Sequence, residues 1–207
     1  MRLGLYVTHP EVEINPDVPV PSWGLSRQGR ARAMAFAAKL ALPPQTPCFS
    51  SAETKAVQLA EILQPQQGLR FSRLDMNEND RSSTGYLREN DFDRAVARFF
   101  SEPGMSFSGW ETASDAQRRI VAAADAVIES QHSADLILFA GHGGVGTLLK
   151  CALGNRPISQ AEDQRSIAHS GGGNFFVFDL DARTLLCDFT PIERFRGMSK
   201  WLTPTRA

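Results

Sequence analysis

The stretch LILFAGHGGVGTLLK, residues 136 to 150, constrains the chain more than any other. Leu136 to Phe139 lack the alternation of a half-exposed strand and read as a strand covered on both faces, the habit of a parallel sheet. A helical pattern begins at Gly143 to Gly146, immediately after His142. A helix start carries unpaired backbone N–H groups and the positive end of the dipole, and glycine lets an anion approach closely. This turn therefore suits a phosphate, with His142 beside it.

The rest of the chain repeats the strand-then-helix rhythm. Residues 3 to 10, LGLYVTHP, read as a short apolar strand stopped by Pro10, and the proline-rich segment from Glu11 to Trp23 reads as an extended loop. Ser26 is positioned to cap a first helix with the stripe Met34, Ala37, Ala38 and Ala41, closed by Pro43-Pro44. Cys48-Phe49 end a strand, Ser50 and Glu53 have capping-box spacing, and Ala56, Leu59, Ala60 and Leu63 mark a second helix with Lys55 in its first turn. A weak strand at 69 to 74 leads to the polar loop MNENDRSSTGY. Phe92, Ala95, Val96 and Phe99 mark a further helix, Thr112 and Asp115 cap the next, and NFFVFDLDARTLLCDF reads as a hairpin about Asp181-Ala182-Arg183.

This order predicts an α/β fold: a three-layer α/β/α sandwich whose mainly parallel central sheet ends in an antiparallel edge strand. With 207 residues and no flexible linker, the chain is expected to form one domain over 1–207. The excursion at about 81–110 reads either as an inserted lid over a site or as surface decoration. A formal net charge of −1 gives no overall drive toward nucleic acid or an acidic membrane surface. No stretch approaches a membrane span or a signal peptide, so a cytoplasmic location is expected. Cys48, Cys151 and Cys187 are far apart and read as buried thiols, and no H-x-x-x-H or C-x-x-C spacing calls for a metal. No cofactor is implied.

Ligands of such sheets bind beyond the carboxyl ends of the strands, and His9, Ser50-Ser51 and His142 each follow a strand directly. Two histidines, a capped helix with Lys55 and a glycine-rich helix start make a constellation for phosphoryl chemistry. A neutral imidazole is a good nucleophile near pH 7, and a second can donate hydrogen bonds to the transferring group. Glu78, in the polar loop, is the candidate acid for the leaving oxygen, with Asp80 behind it. Each of these also has a plain structural reading: a capping lysine, a solvated loop carboxylate, a histidine that merely ends a strand.

Ordered motifs over nearly the full length resemble the histidine phosphatase (phosphoglycerate mutase-like) superfamily. Thr8-His9-Pro10 stands where that family has Arg-His-Gly, and Asn15 matches an asparagine found six residues after the histidine in some members. Leu25 to Ala33 is similar to Leu-Thr-x-x-Gly-x-x-Gln-Ala, and Ser50 to Ala60 to Ser-Ser-x-x-x-Arg-Ala-x-Gln-Thr-Ala. Met76-Asn77-Glu78 resembles Leu-Asn-Glu, Gly109 to Thr112 resembles the Gly-Glu-Ser helix start, and Gly141 to Val145 resembles Ser-His-Gly-Gly-Val. The resemblance implies that His9 attacks phosphorus, Glu78 donates the proton and His142 contacts the phosphoryl oxygens. It puts Thr8, Asn15, Lys55 and Gly143 around the phosphate. This is a divergent member: both clamp arginines are replaced, by Thr8 and Lys55, and a lost bidentate pair costs roughly tenfold to several hundredfold in affinity. Arg81 is a candidate to restore one guanidinium.

The expected function is a metal-independent phosphatase that hydrolyses a small phosphomonoester through a phosphohistidine intermediate. The alternative is a non-catalytic relative that binds phosphate or another anionic ligand, and a structural domain with no ligand is a third reading. The expected partner is a small phosphorylated molecule or phosphate-like anion. The sequence leaves the oligomeric state open.

Overall fold

Strands form where the chain is apolar in both directions. β1 (Leu3–Thr8) and β4 (Leu136–Gly141) are buried at every position. Strand alternation sends Leu3, Leu5 and Val7 of β1, with Leu136, Leu138 and Ala140 of β4, into one apolar cluster. Tyr6, Ile137 and Phe139 enter a second cluster on the opposite face. In the computed structural model, which describes residues 1 to 198, β1 and β4 lie parallel, from Leu3 opposite Leu136 to Thr8 opposite Gly141. β2 (Cys48–Ser51) pairs parallel with β4, and β3 (Arg70–Arg73) parallel with β2. On the other side β5 (Asn174–Asp179) pairs antiparallel with β1, and β6 (Thr184–Pro191) with β5. The order is β3-β2-β4-β1-β5-β6, a mainly parallel sheet ended by the antiparallel hairpin the sequence announced.

Helices cover both faces. α1 (Arg27–Leu40) and α2 (Thr54–Leu63) bring Ala33, Phe36, Leu40, Leu59 and Leu63 to the first cluster. α3 (Glu89–Ser101), α4 (Ala113–Ser130) and α5 (Gly143–Leu153) bring Phe99, Ile120, Ala123, Val145 and Leu148 to the second. The result is the expected three-layer arrangement. Within the 81–110 excursion, Phe99, Phe100 and Trp110 are anchored in the second cluster. Among the described residues, no helix is long and apolar enough to cross a membrane.

Two local expectations fail for physical reasons. Of the expected α1 stripe only Ala37 packs, partly buried, against the core: the buried residues are Gly29, Ala33, Phe36 and Leu40, and Met34, Ala38 and Ala41 are exposed. Phe36 sets the rotation, because its ring packs against Phe175 and Phe195 where three alanines offer far less area. The capping box at Ser50 and Glu53 does not form either. β2 runs through Ser51, so α2 begins only at Thr54, and Glu53 sits at its N-cap without a side-chain cap bond. The expected caps at Ser26 and Thr112 do form, accepting from the N–H groups of Gly29 and Asp115.

Candidate active site

Parallel strands deliver their carboxyl ends to one edge, so Thr8-His9, Ser51 and Gly141-His142 converge. The rings of His9 and His142 meet edge to face, centroids 5.2 Å apart. His142 is held from both ends. Its backbone N–H donates to the Tyr6 hydroxyl at 3.1 Å, that hydroxyl lies 3.2 Å from the His142 carbonyl, and Nε2 lies 2.6 Å from Ser51 Oγ. Its buried Nδ1 has no hydrogen-bond partner among the described residues. Burial holds the His142 imidazole below its ordinary range, against the pull of Glu53 and Glu78.

His9 is half-buried and lines a cavity of about 170 Å³ together with Glu78, Arg81 and Gly143. Its Nδ1 lies 2.9 Å from the Pro10 carbonyl. A carbonyl only accepts, so Nδ1 carries the proton and Nε2 keeps a free lone pair. Burial, and after it the neighbouring His142, push the ring down to about 3, so the neutral imidazole persists far into the acid range. The backbone behind His9 is fixed as well. Gly173 N–H donates to the His9 carbonyl at 3.1 Å, and at Gly172, with φ +76°, an added Cβ would stand 2.2 Å from that oxygen.

The helix start that suited a phosphate is occupied by the protein's own carboxylate. Glu78 Oε2 accepts from Gly144 N–H at 3.0 Å, and Oε1 accepts from Val145 N–H at 2.9 Å and Asn79 N–H at 3.1 Å. The physics is the one that made the site attractive, a carboxylate meeting unpaired N–H groups at the positive end of α5. Gly144 permits the approach: a Cβ there would lie 2.5 Å from Glu78 Oε1. Arg119 of α4 holds the loop that carries Glu78. Its guanidinium donates to the carbonyls of Asp75, Asn77 and Glu78 and pairs with Glu111 at 2.6 Å.

Glu53 and Lys55 form a second charged pair behind the histidines, 6% and 3% exposed. Lys55 Nζ donates to Glu53 and, at 2.9 Å, to the Val20 carbonyl. Glu53 Oε1 accepts from Glu78 N–H at 2.9 Å and lies 3.7 Å from His142 Nε2. Burial alone would raise the Glu53 carboxyl, but His142, Lys55 and the hydrogen bonds outweigh it and hold the group at about 2. Lys55 is thus spent on an internal carboxylate.

The remaining expected residues divide. Thr8 is fully buried: its hydroxyl donates to Gln164 Oε1 at 2.8 Å and accepts from Asn174 N–H at 3.0 Å. Asn15 is exposed, its side chain accepting from Asp17 N–H and its carbonyl from Trp23 Nε1. Neither is brought to the cavity. Arg81 is: half-buried, it lies over the rings of Phe92 and Trp110 at 5.0 and 5.9 Å and makes no ion pair among the described residues. Arg165, which also lines the cavity, is exposed and paired with Asp93 at 2.7 Å.

Sequence reasoning missed Glu53, Arg119 and Arg165 as parts of this site. Glu53 was hidden by its cap spacing, although a carboxylate two residues before a lysine at a strand-to-helix turn was a signal. Arg119 adjoins the apolar stripe of Ala116, Ile120 and Ala123, where a charged residue is placed to reach past the helix edge. Arg165 follows the buried pair Asp163-Gln164 and carried no sequence signal.

Known structures repeat this fold. Mycobacterial glucosyl-3-phosphoglycerate phosphatase superposes with a TM-score of 0.73 at 17% identity, over 91% of this chain and 98% of that one. The Bacillus stearothermophilus protein YhfR gives 0.73 at 17% identity, over 90% and 95%. TTHB049 of Thermus thermophilus gives 0.60 at 22% identity, over 91% and 99%. The mycobacterial enzyme is also known in complexes with inorganic phosphate and with VO3. No curated protein matches the chain by sequence. The profile of the histidine phosphatase superfamily (branch 1) matches residues 8–170, and the chain belongs to that family.

Proposed function

We propose that this chain is a metal-independent phosphatase that hydrolyses a small phosphomonoester through a phosphohistidine on His9. The observation that carries this reading is His9 itself, a neutral imidazole with its Nδ1 proton on the Pro10 carbonyl, exposed to a cavity that also holds Glu78. The Nε2 lone pair attacks phosphorus as the ester P–O bond breaks. Glu78 takes the proton that the monoanionic ester brings on binding and gives it to the departing alcohol. Oε2, with one N–H donor against two on Oε1, is the oxygen with room to carry that proton. Water then attacks phosphorus, the N–P bond breaks, and Glu78 recovers a proton from that water. His142 supplies Nδ1, for which a phosphoryl oxygen would be the acceptor. Arg81 meets the anion as a guanidinium with no carboxylate partner among the described residues.

Glu53 favours the second reading, a non-catalytic anion binder. Its buried carboxylate 3.7 Å from His142 Nε2 opposes a multiply charged phosphoryl group and takes up the charge of Lys55. Retention of His9 in its nucleophilic tautomer supports catalysis over that reading.

The test is turnover of a generic aryl phosphate and a panel of phosphomonoesters in buffer with chelator, wild type against His9→Ala. Turnover in the wild type alone is expected. Silence in both, with vanadate or phosphate still bound, would move the protein to the non-catalytic reading.

A further inference from the structure

Beyond the His9 cavity lies a larger one, of about 400 Å³, that shares Arg81 and Phe92 with it. Its other walls are Ile14, Val20, Trp23, Tyr86, Leu87 and Glu89. Volume and lining are those of a small-molecule seat, apolar and aromatic with few polar groups. The walls are also built. Trp23 is buried and its indole N–H is tied to the carbonyls of Asn15 and Val18 at 2.8 and 3.2 Å. Tyr86 tilts against it with ring centroids 5.8 Å apart and is itself 39% exposed.

We infer that this second cavity seats an uncharged aromatic or apolar group of the ester's alcohol, so that the substrates are monophosphates of ring-bearing, otherwise uncharged alcohols. The inference rests on the phosphatase reading and extends it to the leaving group. Continuity fixes the orientation. Arg81 stands at the junction, so a phosphoryl group beside His9 meets the guanidinium while the rest of the molecule passes over Phe92 toward Trp23 and Tyr86. Charge fixes the class. Among the described residues that line the larger cavity Arg81 is the one cation, and Glu89 would repel a second phosphate or a carboxylate placed there. Flat, uncharged rings match what remains, since aromatic side chains favour stacked or edge-on partners.

The comparison must avoid differences in leaving-group acidity, so it uses two alkyl alcohols that are alike in that respect. Phenethylphosphonate and n-propylphosphonate, which are not hydrolysed, are titrated calorimetrically into wild type and Tyr86→Ala. The matching phosphates are then assayed for turnover. Tyr86 is partly exposed, so its truncation leaves the fold intact, which thermal unfolding checks. The expected result is about tenfold or more tighter binding of the phenethyl compound, with the ratio falling below about threefold in Tyr86→Ala. Equal binding of the two phosphonates overturns the inference, and so does a preference that survives Tyr86→Ala undiminished. A phenethyl preference in binding with no turnover of either phosphate supports the aromatic seat and overturns the phosphatase reading alone.

Discussion

Lys55 and Glu53 are almost wholly buried against each other, and removal of one member of such a pair strands a charge in a dry place. Glu53→Ala is therefore expected to cost about 3–5 kcal/mol in urea unfolding. Glu53→Ala with Lys55→Met is expected to recover much of it; no recovery would mean that Glu53 stabilises chiefly through Glu78 N–H. Arg81 is the opposite case, a half-buried cation with aromatic neighbours and no carboxylate partner among the described residues. Arg81→Ala should weaken vanadate binding by about tenfold to a hundredfold, the worth of a charge-assisted hydrogen bond of roughly 1.5–3 kcal/mol. Unchanged affinity would remove Arg81 from the anion site. The placement of His9 and His142 just beyond strand ends was legible in the sequence, whereas the contacts of Glu53 and Arg165 are made across the fold. Thr8 shows the limit of motif reasoning: position in the motif is kept, but the shorter side chain turns to Gln164 and Asn174.

The start of α5 governs the site at the scale of elements. The sequence identified it as an anion seat, and Glu78 from a loop 64 residues upstream of His142 fills it. That arrival could not be read locally, because it depends on Arg119 of α4 gathering three carbonyls of the loop. Gly144→Ala tests the arrangement. A Cβ 2.5 Å from Oε1 must displace the carboxylate, while alanine itself suits a helix. The expected outcome is a drop of about tenfold or more in turnover with little change in melting temperature, since general acid catalysis contributes about 10²–10⁴-fold. Full activity in Gly144→Ala would show that the Glu78–helix contact is dispensable. Secondary-structure elements themselves were legible wherever period and caps agreed, as at Ser26 and Thr112. The rotation of α1 was not, because Phe36 found its partners, Phe175 and Phe195, on distant parts of the chain.

Across the whole molecule, burial of neutral histidine and ionised carboxylate makes stability fall with acid. Unfolded His9 takes a proton near 6.5 and folded His9 resists until about 3, so between these values the unfolded state holds more protons and stability drops as pH falls. Glu53 acts in the same direction: its folded group stays ionised to about 2, so its contribution is present above 4.5 and lost below. His9→Gln should flatten the dependence of melting temperature on pH between about 6.5 and 3. An unaltered slope would mean that His9 is protonated in the folded state. The three-layer fold was readable as a whole because the parallel strands, buried on both faces, leave continuous apolar runs such as Leu136 to Phe139. The cavity beside Trp23 and Tyr86 was not, since it is assembled from the 11–23 loop, the polar loop and α3.

Rapid acid-free quenching of the enzyme with a radiolabelled phosphomonoester asks whether phosphorus passes through a nitrogen of His9. Label is expected on the wild-type chain, stable to base, released by acid and located on His9, and none on His9→Ala. Turnover without any labelled chain, or label that persists in His9→Ala, would contradict it.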